Sequence, residues 1–214
     1  MTAPTRTRAV LLDALGTLVE LEPPWVHLAE ALDVEPDALL VRAVRAEMSY
    51  YRDHSHEGRD ARSLAELRGR CAEVLSSELG REVPVEKMMS AIRFRAFDDA
   101  GPALAELRRL GLNLVCVSNW DCSLPEVLAR CGLDGALDGV VTSAEAGARK
   151  PDPAIFEPAL RLARCTAAEA LYVGDTPAED VEGARAARIP ALLIDREGGG
   201  DIHSLEAIRH HLRS

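Results

Sequence analysis

Two spacings of apolar positions divide the chain. Residues 8–13 (RAVLLD) form a short, nearly continuous apolar run that ends in an acid and runs into a Gly-Thr turn. From about residue 96 onward such runs alternate with amphipathic stretches, the order that builds a parallel βαβ sheet. The pattern predicts helices over 102–110, 123–130, 153–163 and 178–187, and strands over 112–117, 140–142, 170–173 and 191–194. A helix over 202–212 is expected to close the fold. The strands are almost wholly apolar, as they must be when helices cover both faces of a sheet.

Residues 21–95 follow a different period. Apolar positions recur there at three and four residues: Trp25, Leu28, Ala29 and Leu32, then Leu39, Leu40, Ala43, Val44 and Glu47/Met48. Leu64, Leu67, Cys71, Val74 and Leu75 continue the pattern, and Met88, Met89 and Ile92 end it. No strand pattern interrupts the stretch. The expected organisation is an α/β core with a parallel sheet from 1–20 and 96–214, interrupted by an all-helical cap at 21–95. The first six residues and Gly198–Gly200 read as loose segments.

Composition narrows the function classes. Apolar runs such as Ala9–Leu12, Leu114–Val117 and Ala191–Ile194 are too short to span a bilayer, so no membrane partner is expected. The start, MTAPTRTRAV, lacks the apolar stretch of a signal peptide. Five cysteines, odd in number and without CxxC spacing, read as reduced thiols of a cytoplasmic protein. A net charge of −10 argues against a nucleic acid partner and leaves room for a small anionic ligand held by a few local donors. Of 25 cationic side chains only Lys87 and Lys150 are lysine, which draws attention to Lys150.

Four short motifs fall at four strand ends. Asp13 closes the first strand before Gly16-Thr17, placing a carboxylate where α/β sheets bind ligands. Ser118-Asn119 ends the second core strand, where a hydroxyl and N–H donors can hold phosphate oxygens without adding charge. Lys150-Pro-Asp-Pro153 fixes an ammonium at the lip of the crevice, between prolines that stop one helix and start the next. Gly174-Asp175 with Asp180 five residues on suits a hard cation held by oxygen, as Mg²⁺ prefers. Each motif alone has a structural explanation in turns, caps or solvated surface; their order along the chain does not.

Taken together, Asp13 with Gly16-Thr17, Ser118-Asn119, Lys150 with Pro151, and Gly174-Asp175 with Asp180 resemble the haloacid dehalogenase-like superfamily over nearly the whole chain. The resemblance implies a Rossmann-like core, a C1-type helical cap, Mg²⁺ held by Asp13, the Leu15 carbonyl, Asp175 and Asp180, and a covalent aspartyl-phosphate on Asp13. Lys150 would stabilise the transferring group. One position departs from the pattern: phosphatases of this family carry Asp where Leu15 stands, and that Asp protonates the leaving oxygen. General acid–base catalysis contributes about 10²–10⁴-fold.

Three hydrolytic readings accommodate the missing acid. One is a phosphatase that is slow or takes an ester with a good leaving group. Another is L-2-haloacid dehalogenase chemistry, with Arg42 or Arg45 as the cap arginine, although the Asp175/Asp180 motif is of the phosphatase kind. Phosphonoacetaldehyde hydrolysis would need a cap lysine, and only Lys87 is available. A non-catalytic ligand-binding scaffold is the fourth possibility. Specificity is expected in a polar break between cap helices, with Tyr51 and Arg52 contacting substrate beside Tyr50, His54, His56 and Arg59. His54 and His56 read as a solvated turn more readily than as a second metal site. Thr17, Ser118, Asn119 and Trp120 complete the expected substrate contacts, Trp25 reads as core, and the oligomeric state is monomer or homodimer.

Overall fold

The computed structural model describes residues 6–213. Most of the expected loose N-terminal segment, residues 1–5, lies outside that range. The strands are β1 (Ala9–Leu12), β2 (Val19–Leu21), β3 (Phe94–Ala96), β4 (Asn113–Ser118), β5 (Gly139–Thr142), β6 (Ala170–Gly174) and β7 (Ala191–Leu193). The α-helices are α1 (Pro24–Leu32), α2 (Ala38–His54), α3 (Ala61–Leu79), α4 (Val85–Ala91), α5 (Ala100–Arg109), α6 (Leu124–Arg130), α7 (Ser143–Ala146), α8 (Phe156–Leu162) and α9 (Gly183–Ala186).

Five strands form one parallel sheet in the order β5-β4-β1-β6-β7. The sheet is buried on both faces because successive residues alternate between two helical layers. Val10, Leu12, Leu114, Cys116, Leu171 and Val173 pack with α5 and α6 on one side. Ala9, Leu11, Val115, Val117, Ala170 and Tyr172 pack with α8 and α9 on the other. Leu12 lies level with Cys116 and with Val173, so the residues that follow these strands emerge along one edge.

Helices α1–α4 have an apolar cluster of their own, centred on Leu28, Ala43, Val44, Leu67, Cys71 and Leu75 and flanked by Trp25. Asp37 caps α2 by accepting from Leu40 N, and Asp60 caps α3 with Ser63 in a capping box. The expected freedom of 21–95 from strands is corrected at both ends. β2 and β3 pair as an antiparallel ribbon that includes Leu21 with Phe94 and Glu20 with Arg95. Three-residue strands are too short to leave a period in the sequence.

Two expected helices also change character. The stretch predicted over 178–187 is a π-helical turn, Pro177–Glu182, followed by the short α9. The wider turn swings Asp180 inward, where it is held by three hydrogen-bond partners, a common use of π-helical distortion. The stretch over 202–212 is a 3₁₀ helix, Leu205–His211, whose buried residues Leu205 and Ile208 are three apart, the period of that helix.

Glu47 lies on the apolar face of α2 at 6% exposure, against Cys71 of α3. Burial pushes its carboxyl up from an ordinary value near 4.5 to about 7, offset in part by the Cys71 thiol. The fold therefore favours the protonated form. Stability is expected to fall as pH rises from about 4.5 and to level off above about 7. Glu47→Gln should remove this dependence, gaining roughly 1–3 kcal/mol at pH 8 and little at pH 4.5. Thermal melts of both proteins across that range check the expectation; equal melting shifts at both pH values would contradict it.

Candidate active site

The crevice forms where β1, β4 and β6 end. Asp13 leaves β1 at 6% exposure, and its backbone N–H donates to Val173 O at 2.9 Å, which pins the strand end. Lys150, on the segment between α7 and α8, is 3% exposed and reaches across to it. Its Nζ lies 2.6 Å from Asp13 Oδ1, 2.5 Å from Asp180 Oδ1 and 2.9 Å from Tyr172 OH. Three N–H bonds thus meet three acceptors, which a buried ammonium requires. Tyr172 OH donates to Asp180 Oδ1 at 2.7 Å, and its ring is held edge-on by Phe156 at a centroid distance of 5.2 Å.

The electrostatics follow from this packing. Burial pushes the Asp13 carboxyl up to about 7; Lys150 opposes the rise and Asp180 adds to it. Burial lowers the Lys150 pKa, but Asp13 and Asp180 outweigh it and hold the ammonium above the ordinary lysine value. Asp175 is raised by burial and by Asp180, with Lys150 lowering it. Asp13, Asp175 and Asp180 can each present an oxygen such that all three lie within 4.8 Å of one another. An all-carboxylate donor set of this kind fits a hard divalent cation. Asp180 is the most engaged of the three, since Lys150 and Tyr172 take Oδ1 and Thr176 N donates to Oδ2 at 2.9 Å.

Two glycines make this crowding possible. Gly16 has φ +81°, and a Cβ there would lie 2.1 Å from Asp175 Oδ2. A Cβ on Gly174 would lie 2.3 Å from Asp180 Cγ. Both carboxylates therefore approach bare backbone.

Several expected contacts are placed differently. Asn119 accepts from Lys150 N at 2.7 Å through Oδ1, and its Nδ2 donates to Lys150 O at 3.0 Å and Glu179 Oε2 at 2.9 Å. Its side-chain amide thus brackets Lys150 and leaves the backbone N–H as the group of this residue that could meet a substrate. Trp120 is buried in the core with its ring 5.1 Å from Phe94, which removes it from the pocket wall. Tyr51 and Arg52 are on helix α2 and not in a loop, because the helix continues to His54. Tyr51 OH donates to Asp121 Oδ2 at 2.8 Å, joining α2 to the segment after β4, while Arg52 is exposed. Ser118 ends β4 at 3% exposure, and Thr17 is fully buried with an unpartnered Oγ1. Leu15 is 41% exposed beside Asp13. His54 stacks on Tyr50 and places Nδ1 2.8 Å from Tyr50 O.

Sequence reasoning missed Tyr172, Glu179 and Arg196. Arg196, after β7, donates from Nη2 to Thr17 O at 2.9 Å and from Nη1 to Asp99 Oδ2 at 3.1 Å, and lies 3.6 Å over the Phe97 ring. Tyr172 sits in an apolar strand and Arg196 in a polar loop, and neither setting distinguishes them before the chain is folded.

The chain thus places a buried Asp–Lys–Asp cluster at the C-terminal edge of a parallel α/β sheet, where such folds bind their ligands. Residues 7–188 match the family model of the haloacid dehalogenase-like hydrolases, and the chain belongs to that family. It is 41% identical over 101 residues to human haloacid dehalogenase-like hydrolase domain-containing protein 3, across 47% of this chain and 40% of that protein. It is 38% identical over 120 residues to a phosphoserine phosphatase of Thermus thermophilus, across 56% of this chain and 48% of the relative. The matched region thus spans less than half the length of these relatives. A crystal structure of a phosphatase of this family from Thermococcus onnurineus superposes with a TM-score of 0.68 at 24% identity, covering 96% of this chain and 97% of that one. An L-2-haloacid dehalogenase, RSc1362, superposes with a TM-score of 0.72 at 22% identity over 97% and 99% of the two chains. The fold is therefore common to both chemistries. No helix among the described residues is long and apolar enough to cross a membrane.

Proposed function

We propose that this protein is a Mg²⁺-dependent phosphatase that acts on a small phosphorylated metabolite through an aspartyl-phosphate on Asp13. The observation that carries this reading is the Asp13–Lys150–Asp180 cluster beside Asp175, at the edge where the strands end. Asp13 attacks phosphorus, the bond to the leaving oxygen breaks, and water then cleaves the acyl phosphate to regenerate the carboxylate. Lys150 holds Asp13 in place and offsets the charge of the incoming phosphate. Asp13, Asp175 and the Leu15 carbonyl would hold the ion, with Asp180 beside them. When bound, Mg²⁺ supplies polarisation of the phosphoryl oxygens. Ser118 supplies a hydroxyl near the phosphate, and helices α1–α4 act as the cap that closes over it. Relatives named as phosphatases support the reading. The protein is read as cytoplasmic, a monomer or homodimer.

Dehalogenase chemistry is the second reading, favoured by the apolar Leu15. Its expected cap arginines are turned to solvent, and Arg42 lies 3.9 Å from Glu78. Lys87 is also exposed, which weighs against a buried Schiff-base lysine in the cap. The test is phosphate release from p-nitrophenyl phosphate with and without Mg²⁺, against chloride release from 2-chloropropionate. Metal-dependent phosphate release above that of an Asp13→Asn control is expected. Its absence, with metal-independent chloride release, would replace the phosphatase by the dehalogenase.

A further inference from the structure

We infer that Arg196 is a positioning residue that clamps the turn after Asp13, and with it the Leu15 carbonyl, where the chain leaves the core for the cap and returns. The inference rests on the phosphatase reading. From Ala14 to Val19 the turn is largely bonded to itself. Ala14 O accepts from Leu18 N at 2.8 Å and Val19 N at 2.9 Å, and Gly16 N donates to Val19 O at 2.8 Å. Two of its carbonyls bond outside it. Leu18 O accepts from Phe97 N at 3.1 Å, on the segment that follows β3, and Thr17 O accepts from Arg196 Nη2 at 2.9 Å. Among the described residues, no other side chain is hydrogen-bonded to the backbone of this turn.

Arg196 comes from the loop after β7, at the same carboxyl edge of the sheet as Asp13. Its Nη1 donates to Asp99 Oδ2 at 3.1 Å, an oxygen that also accepts from Leu205 N at 2.8 Å. The guanidinium lies 3.6 Å over the Phe97 ring. A planar fork can meet a carboxylate and a carbonyl while stacking on an aromatic face; a flexible ammonium cannot. The turn needs such a fixture. Upstream, Asp13 N is pinned on Val173 O at 2.9 Å; downstream, Arg196 pins Thr17 O. Between them Gly16, at φ +81°, leaves no room for a Cβ beside Asp175 Oδ2, and Leu15 has only its carbonyl to offer an ion. A slip of the turn would move that carbonyl relative to Asp13 and Asp175. Outer partners that orient metal ligands typically govern about 10–100-fold in metal affinity or activity.

The experiment compares Arg196→Met, Arg196→Lys and Asp99→Asn with the native protein. Arg196→Met keeps an apolar stem over Phe97 and loses both N–H bonds. Its kcat on p-nitrophenyl phosphate should fall about 10–100-fold with KM little changed, and the Mg²⁺ concentration that gives half the thermal stabilisation should rise by a similar factor. Hydrogen exchange of the peptide spanning residues 14–19 should quicken. Asp99→Asn keeps an acceptor for Arg196 and Leu205 N but removes the ion pair, so it should lower the melting temperature without moving kcat or the Mg²⁺ midpoint. In Arg196→Lys the ammonium is drawn to Asp99, which preserves the fold, and the same shifts should appear in smaller measure; this variant carries the test if Arg196→Met does not fold. Native kcat and a native Mg²⁺ midpoint in the folded Arg196 variants overturn the inference. So does an activity loss that tracks melting temperature alike in the Asp99 and Arg196 variants, since Arg196 would then be structural only. If the native protein hydrolyses nothing above the Asp13→Asn background, the phosphatase reading fails, while the Mg²⁺ midpoint and the hydrogen exchange still decide whether Arg196 holds the turn.

Discussion

Replacing Lys150 by methionine is expected to abolish turnover and to destabilise the protein by about 3–5 kcal/mol at neutral pH, the range for removing one partner from a buried ion pair. Methionine fills much of the volume, so the loss reports charge and not a cavity. Without the ammonium, Asp13 and Asp180 face each other at 6% and 1% exposure, and Tyr172 OH loses a donor. Like charges at such a site drive protonation, raising the carboxyl pKa further above its unfolded value. A carboxyl raised on folding weakens the fold as pH climbs from the unfolded value through the folded one. The destabilisation should therefore be largest at alkaline pH and shrink toward pH 4. Urea melts of both proteins at several pH values check this. A variant as stable as the native chain at pH 8 would show that Lys150 does not neutralise the cluster.

Asp13→Asn is expected to be equally inactive but more stable than the native protein in metal-free buffer. The change removes the nucleophile, which costs on the order of 10⁴-fold or more in kcat. Yet Asp13 is held with its carboxyl raised to about 7, so its ionised form is a burden on the fold above that pH. The amide carries no charge to bury, and Lys150 keeps Asp180 as its counterion. The stability gain should appear at pH 8 and vanish near pH 4, opposite in sign to the effect of Lys150→Met. Activity assays with thermal melts in chelator decide it. Loss of activity with loss of stability would make Asp13 a structural acid, not a nucleophile strained for function.

The pairing of these two variants separates the roles within one cluster. Lys150 is required by the carboxylates around it; Asp13 is tolerated by the fold because Lys150 is there. A bound divalent cation would relieve the same repulsion between Asp13 and Asp175, so added Mg²⁺ should stabilise the native protein more than Asp13→Asn.

Much of this was legible in the residues alone. Continuous apolar runs ending at Asp13, Ser118 and Gly174 fixed the buried strands, because a sheet covered on both faces tolerates no alternation. The three-and-four spacing from Leu28 to Leu75 fixed the helices, since that period places apolar side chains on one face. Motif order along the chain placed Asp13, Lys150, Asp175 and Asp180 together, because parallel strands deliver their ends to one edge.

What the sequence could not decide was which polar atoms are already spoken for. The Asn119 side chain reads as a substrate donor until its amide is seen bracketing Lys150, 31 residues away. Tyr51 reads as a substrate contact until its hydroxyl is seen on Asp121, 70 residues away. Trp120 reads as a pocket wall until its ring is found against Phe94. Residue type and local spacing set what a side chain can do; only tertiary packing, which brings distant partners within hydrogen-bond reach, sets which of those capacities remain free for chemistry.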